Sequence, residues 1–193
     1  MIMMGKVCAI LLLCLVVIAM PMVQGIDESP QAVAEWFEHL PKMEEKVTKL
    51  HFYFYDQLSG KNATAVTVAQ ANTTFQSPSL FGLVFVIDNA LKTGPEPDST
   101  TVGRAQGMYA SGGLKEPVAV MTLDFVFTSG EYNGSTLSMS GRNPILDPYR
   151  EMPIVRGSSV FRLARGIATA KTYLFNTTTG DAIVEYNVIV LHY

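Results

Sequence analysis

Leu50-His51-Phe52-Tyr53-Phe54-Tyr55-Asp56-Gln57-Leu58 is dense in aromatic residues and has no glycine or proline to interrupt it, the composition of a β-strand. Successive side chains of a strand point to opposite faces. Leu50, Phe52, Phe54, Asp56 and Leu58 therefore share one face, and His51, Tyr53, Tyr55 and Gln57 the other. The first face is apolar except for one carboxylate. Burying a carboxylate is costly, so Asp56 needs a raised pKa or a cationic partner, and both conditions recur at functional sites. The competing reading puts Asp56 at a strand end, in a structural pair with an arginine.

Working outward, strand-like runs recur at 47–58, 64–70, 80–88, 101–111, 117–128, 135–140, 160–175 and 182–193, punctuated by Gly, Pro, Asn and Asp. Eight short runs without a long helix between them predict an all-β fold. An antiparallel sheet of eight strands can close into a barrel with a small central cavity, and a β-sandwich is the rival. Along 160–172 one face carries Val160, Arg162, Ala164, Gly166, Ala168, Ala170 and Thr172, and the other Phe161, Leu163, Arg165 and Ile167. Small side chains facing inward would leave room for a ligand. Periodicity alone does not say which face looks in.

Residues 1–25 carry one charge, Lys6, then an apolar run and a small-residue end, the pattern of a secretory signal peptide rather than a membrane anchor. Both cysteines, Cys8 and Cys14, would leave with it, so the exported chain would hold no disulfide. Residues 26–46 read as an N-terminal arm with the chain's one helical candidate. Ser29 can cap it, Pro30 suits its first turn, and Ala32, Val33, Trp36, Phe37 and Leu40 recur at helical spacing until Pro41. Residues 47–193 form the barrel domain.

Acids outnumber bases by 17 to 14, for a net charge of −3, which argues against a nucleic-acid partner. Five of the six arginines nevertheless fall between Arg142 and Arg165. A guanidinium keeps its charge, so an arginine in an apolar strand must meet an acid, a carbonyl or a ligand oxygen; the alternative is a solvated face. Asn62, Asn72, Asn133 and Asn176 each begin an Asn-x-Ser/Thr sequon beside turn-forming residues, and export would make them glycan acceptors. His39, His51 and His192 lack metal-ligand spacing, so no metal is expected. No cofactor loop or nucleophile elbow occurs, which leaves carboxyl, tyrosine and arginine chemistry.

The blocks HFYFYDQLSGKNATA, LFGLVFVID, VGRAQGMY, GSTLSMSGRN, REMPIV, FRLARGIATAKT and EYNVIVLHY, in that order, resemble the plant dirigent family over about residues 49–193. The resemblance implies a secreted, glycosylated, eight-stranded barrel of the allene oxide cyclase-like type, assembled as a homotrimer in the apoplast. Such proteins have no oxidising activity and need no cofactor. They bind phenoxy radicals that a laccase or peroxidase makes from phenolic substrates, and impart stereoselectivity on coupling. Some relatives instead act as pterocarpan synthases, taking an isoflavanol through a quinone methide with loss of water.

Residue by residue, the resemblance implies that Asp56, Tyr109 and Arg150 are the catalytic groups and that Asn143 and Thr172 line the cavity. Asp56 would donate or accept a proton and Arg150 would hold a phenolate oxygen. Lignan-forming members carry a second aspartate where this chain has Asn143, in Gly141-Arg142-Asn143. That form resembles the branch containing the pterocarpan type. Tyr55 stands in place of the family's histidine, Asn89 in place of the second aspartate of an Asp-Asp pair, and Arg156-Gly157-Ser158-Ser159 in place of a glycine-rich turn.

Overall fold

The computed structural model describes residues 26–193, and the signal-peptide reading of 1–25 lies outside them. Ser29 caps helix α1 (Pro30–His39), its hydroxyl accepting from the Ala32 amide at 3.2 Å, and a 3-10 turn at Leu40–Lys42 ends it at Pro41. Nine strands follow: β1 (Lys46–Asp56), β2 (Ala65–Ala69), β3 (Val84–Lys92), β4 (Thr101–Ser111), β5 (Val118–Phe127), β6 (Thr136–Pro144), β7 (Arg150–Ser158), β8 (Arg165–Phe175) and β9 (Ala182–His192).

The sheet runs β1-β9-β8-β7-β6-β5-β4-β3-β2, every pair antiparallel, and β1 also pairs with β3. That extra pairing closes eight strands into a barrel and leaves β2 outside the ring, on the part of the β3 edge that β1 does not cover. Closure pairs the edges of the ring that would otherwise template aggregation and leaves the outer edge of the five-residue β2 unpaired. The expected eight-stranded barrel is therefore present, although its strands differ from the eight runs in the sequence. Run 64–70 became β2, off the ring, while β7 was absent from those runs. Pro153 and the charged Arg150, Glu151 and Arg156 interrupt the apolar pattern of that segment, yet Met152 and Ile154 point into the core and Glu151, Pro153 and Val155 point out.

Two further boundaries moved. Run 80–88 became Val84–Lys92, because Leu80 (φ 54°) and Gly82 (φ 87°) turn the chain first. Strand β8 begins only at Arg165, since Ser159–Phe161 forms a 3-10 turn. Val160 and Arg162 are thus not on its inner face, whereas Ala164, Ala168 and Ala170 are buried. In the altered turn Ser159 takes a left-handed backbone without being glycine (φ 54°).

The interior is built by alternation. Phe52, Phe125 and Tyr186 pack with ring centroids 5.1–5.8 Å apart, surrounded by buried Leu123, Leu137, Met139, Met152, Val188 and Val190. Each such side chain contributes roughly 1.5–3 kcal/mol on burial. Helix α1 buries no residue and meets the barrel through Arg162, which lies 5.6 Å over the Trp36 ring and donates to the Asp27 carbonyl at 3.0 Å.

Gly107 has φ 146° and a Cβ there would collide with the Thr122 carbonyl on β5. Gly107→Ala should cost roughly 1–3 kcal/mol in urea unfolding. Gly130→Ala, in an exposed turn with open space, should cost less; equal losses would show that close strand approach is not what Gly107 provides.

Candidate functional site

Register places the inward polar residues at one end of the barrel. In an antiparallel ring, the ends of β1, β4, β6 and β8 lie beside the starts of β3, β5, β7 and β9. Asp56 pairs with Ala182, Tyr109 with Phe85 and Met121, Asn143 with Ala119, Arg150 with Ala170, and Thr172 with Val184. All five residues named from the sequence, Asp56, Tyr109, Asn143, Arg150 and Thr172, thus come to the same rim. The opposite end is closed by Phe127, Tyr132, Phe161 and His192.

The rim residues form two hydrogen-bonded groups. In the first, Asp56 accepts from the Tyr109 hydroxyl at 2.9 Å on one oxygen and from Asn89 Nδ2 at 2.9 Å on the other. Asn89 is wholly buried, and its Oδ1 accepts from the Thr64 hydroxyl at 2.5 Å. Burial pushes the Asp56 carboxyl above its ordinary range, with the nearby Asp181 adding to the effect and the two hydrogen bonds opposing it. Burial, with the charge of Asp56, also pushes the Tyr109 phenol well up, so it stays protonated and serves as a donor.

In the second group, Arg150 is 3% exposed. Its Nε donates to Asn143 Oδ1 at 3.1 Å, and its Nη1 donates to Thr172 Oγ1 at 2.9 Å and the Asp147 carbonyl at 3.3 Å. Asn143 Nδ2 in turn donates to Met121 Sδ at 3.1 Å. None of the ion pairs among the described residues involves Arg150, and Nη2 makes no hydrogen bond to them. Burial lowers its pKa, yet a guanidinium stays charged in proteins. It is a buried cation with a donor to spare, suited to an oxygen that gains negative charge.

Tyr186 lies between the two groups. It is 1% exposed, its hydroxyl has no hydrogen-bond partner among the described residues, and both the Arg150 and Asp56 charges act on it. Burial raises its phenol above the ordinary tyrosine range. An open groove of about 550 Å³ reaches this end of the barrel, lined by Leu58, Ala65, Leu83, Phe85 and Gly180 among others. The Phe85 ring packs on Tyr109 at 4.9 Å, which links the groove to the acid.

In the sequence Asn89 stands out only as a departure from the family pattern, and Thr64 and Tyr186 carry no local mark of the site. The other clustered arginines serve elsewhere: Arg142 pairs with Glu116 at 2.8 Å, Arg165 with Glu45 at 2.7 Å, and Arg156 reaches Ser138. Tyr55, in place of a histidine, points outward and donates to the carbonyls of Gly94 and Glu96, tying down the loop after β3. Asn62, Asn72, Asn133 and Asn176 are all exposed. Three of their sequon hydroxyls also have structural work, Thr64 on Asn89, Thr74 on the Ala71 amide and Phe81 carbonyl, and Ser135 on the Val160 amide.

The family model of dirigent-like proteins matches residues 47–191. Dirigent protein 23 of Arabidopsis thaliana is 48% identical over 183 residues, covering 94% of this chain and 95% of its own. Pterocarpan synthase 1 of Glycyrrhiza echinata is 48% identical over 151 residues, 78% of this chain and 80% of its own. The solved structure of a pterocarpan synthase dirigent protein aligns with a TM-score of 0.74 at 50% identity, over 78% of this chain and 87% of that one. A closed eight-stranded barrel with an extra strand and a family match spanning the whole of it lead to one conclusion: the chain belongs to the dirigent family.

Proposed function

We propose that the polar rim receives a phenylpropanoid as a phenoxy radical or quinone methide and fixes which faces react, without oxidising it. The observation that carries this reading is a partly unpaired guanidinium and a desolvated carboxyl on one rim of an aromatic interior. Radicals couple readily in solution, so what a protein adds is orientation. Phe85 and the rings beneath it supply stacking surface, Tyr109 and Tyr186 supply hydroxyls, and an external laccase or peroxidase supplies the radicals. In keeping with the leader-like residues 1–25 and the exposed sequons, the protein works as a secreted glycoprotein of the apoplast, assembled as a homotrimer.

After coupling, ring closure is proton bookkeeping of a simple kind. A substrate hydroxyl attacks the methide carbon, its proton passes to Asp56, and the electron pair of the methide moves to the ring oxygen, which Arg150 holds as phenolate. That oxygen then takes a proton and the phenol is restored.

A second reading, a pterocarpan-synthase-like lyase, is favoured by Asn143, an amide where a second acid would stand, and by the relatives of that name. Here a substrate phenol gives its proton to Asp56, the C–O bond to a hydroxyl breaks, and the proton leaves with it as water. A second phenol then adds through its oxygen to the methide carbon, its O–H bond breaks, and the proton passes to the quinone oxygen, which restores the first phenol.

Incubation with a laccase and coniferyl alcohol should raise the enantiomeric excess of the dimer without speeding consumption, read by chiral chromatography; a racemic product counts against the first reading. Turnover of an isoflavanol without any oxidant would establish the second. In either assay Asp56→Asn should abolish the effect. Arg150→Met should reduce selectivity or turnover by about 10²-fold.

Stability should move the other way. Because the folded carboxyl sits above its unfolded value of about 4, the group contributes stability below that value and loses it as pH rises through the folded one. The melting temperature of Asp56→Asn relative to the wild type should therefore rise between pH 4 and pH 8, measured by calorimetry; a constant difference would mean that the carboxyl is not desolvated.

A further inference from the structure

Both oxygens of Asp56 are hydrogen-bond acceptors, and the orientation of one donor is decided a residue further away. An asparagine amide can turn over, exchanging its oxygen for its nitrogen, and only its partners decide which way it faces. Asn89 is wholly buried, so both ends of its amide must be satisfied within the protein. With the Thr64 hydroxyl donating to Oδ1, the amide nitrogen is turned toward Asp56. In the reverse polarity, Nδ2 would donate to Thr64 and Oδ1 would face Asp56, which would then have to carry a proton.

Thr64 is well placed to set this direction. Its amide donates to the Gln57 carbonyl at 2.8 Å and its carbonyl accepts from the Asp88 amide at 2.9 Å, so its backbone is fixed between the end of β1 and the middle of β3. The other groups facing the carboxyl are Tyr109 from β4, which donates to it, and Asp181 from the turn before β9, which acts through its charge. Tyr186 from β9 feels the charges of both Asp56 and Arg150, the latter on the same rim.

We propose that Thr64 and Asn89 are positioning residues that hold Asp56 as an ionised, proton-accepting carboxylate in the resting site. This rests on the reading above that Asp56 moves the proton in the reaction, and it narrows that role to acceptance as the first act. An aspartate at position 89 would remove the device, since two carboxyls at hydrogen-bond distance cannot both ionise and would share a proton.

The test is an NMR titration of the full chain labelled with carboxyl-13C aspartate, the Asp56 signal being identified by its loss in Asp56→Asn. Thr64→Val should move its midpoint upward by about one pH unit, a tenfold gain in proton affinity. Thr64→Ser, which keeps the hydroxyl, should restore the wild-type midpoint. Asn62→Gln removes the sequon but not the hydroxyl and should leave the midpoint where it was. Asn89→Asp should hold one proton to a pH above the wild-type midpoint. An unchanged midpoint in both Thr64→Val and Asn89→Asp, or an equal shift in Asn62→Gln, would overturn the proposal. The titration needs no substrate, so wild-type selectivity in Asp56→Asn would sink the assigned reaction while leaving the charge assignment standing.

Discussion

Three register pairs hold the ring shut: Tyr53 against Lys92, Phe54 against Leu91, and Tyr55 against Ala90. Every other neighbouring pair of barrel strands meets in chain order or through the long β1–β9 ladder, but this seam joins the first barrel strand to the second across the inserted β2. Just past the seam β1 ends, and β3 turns its free edge to β2 instead. Asp56 follows Tyr55 on one side and Asn89 precedes Ala90 on the other, so the pairing that closes the barrel also brings acid and amide together. Thr64, the residue before β2, fills the gap where the two strands part.

The interior divides by the same geometry. Between the rim and the far end, which His192 helps to close, the inward positions are mainly aromatic or aliphatic, with the Tyr186 hydroxyl among them. At the rim they are carboxyl, phenol, amide, hydroxyl and guanidinium, nearly all hydrogen-bonded to one another. A network of this kind is costly if half-satisfied and rigid if complete. Here two groups stay incomplete, the Arg150 Nη2 and the Tyr186 hydroxyl, and both belong to the interior in which a substrate oxygen would sit.

Much of this was legible in the sequence, and the reasons for the rest are physical. Alternation in 50–58 placed Asp56 on the buried face correctly, because β1 is regular and its outer face is partly wet. Alternation also exists in β7, where Met152 and Ile154 turn in, but Pro153 and three charged residues mask it in the sequence. Arg150 was found through family resemblance rather than through periodicity. Asn89 gave no local signal: an asparagine in an apolar strand reads as a defect until a strand 33 positions earlier supplies the carboxylate it serves. The arginine cluster looked like one unit in the chain and dispersed in space, since neighbours on a strand face opposite ways and only Arg150 falls on an inward position at the rim.

The short inward side chains of Ala168 and Ala170 on β8 and Ala182 on β9 have a consequence for the space beside the rim. These side chains carry no charge and take no part in the hydrogen-bonded rim, yet Ala170 sits beside Arg150 and Ala182 beside Asp56 in register. Ala168 and Ala170 are wholly buried, so lengthening either would overpack the interior and press on Arg150 beside them. The room at the rim and the placement of its charged groups are thereby set by the same short side chains, and neither can change without the other.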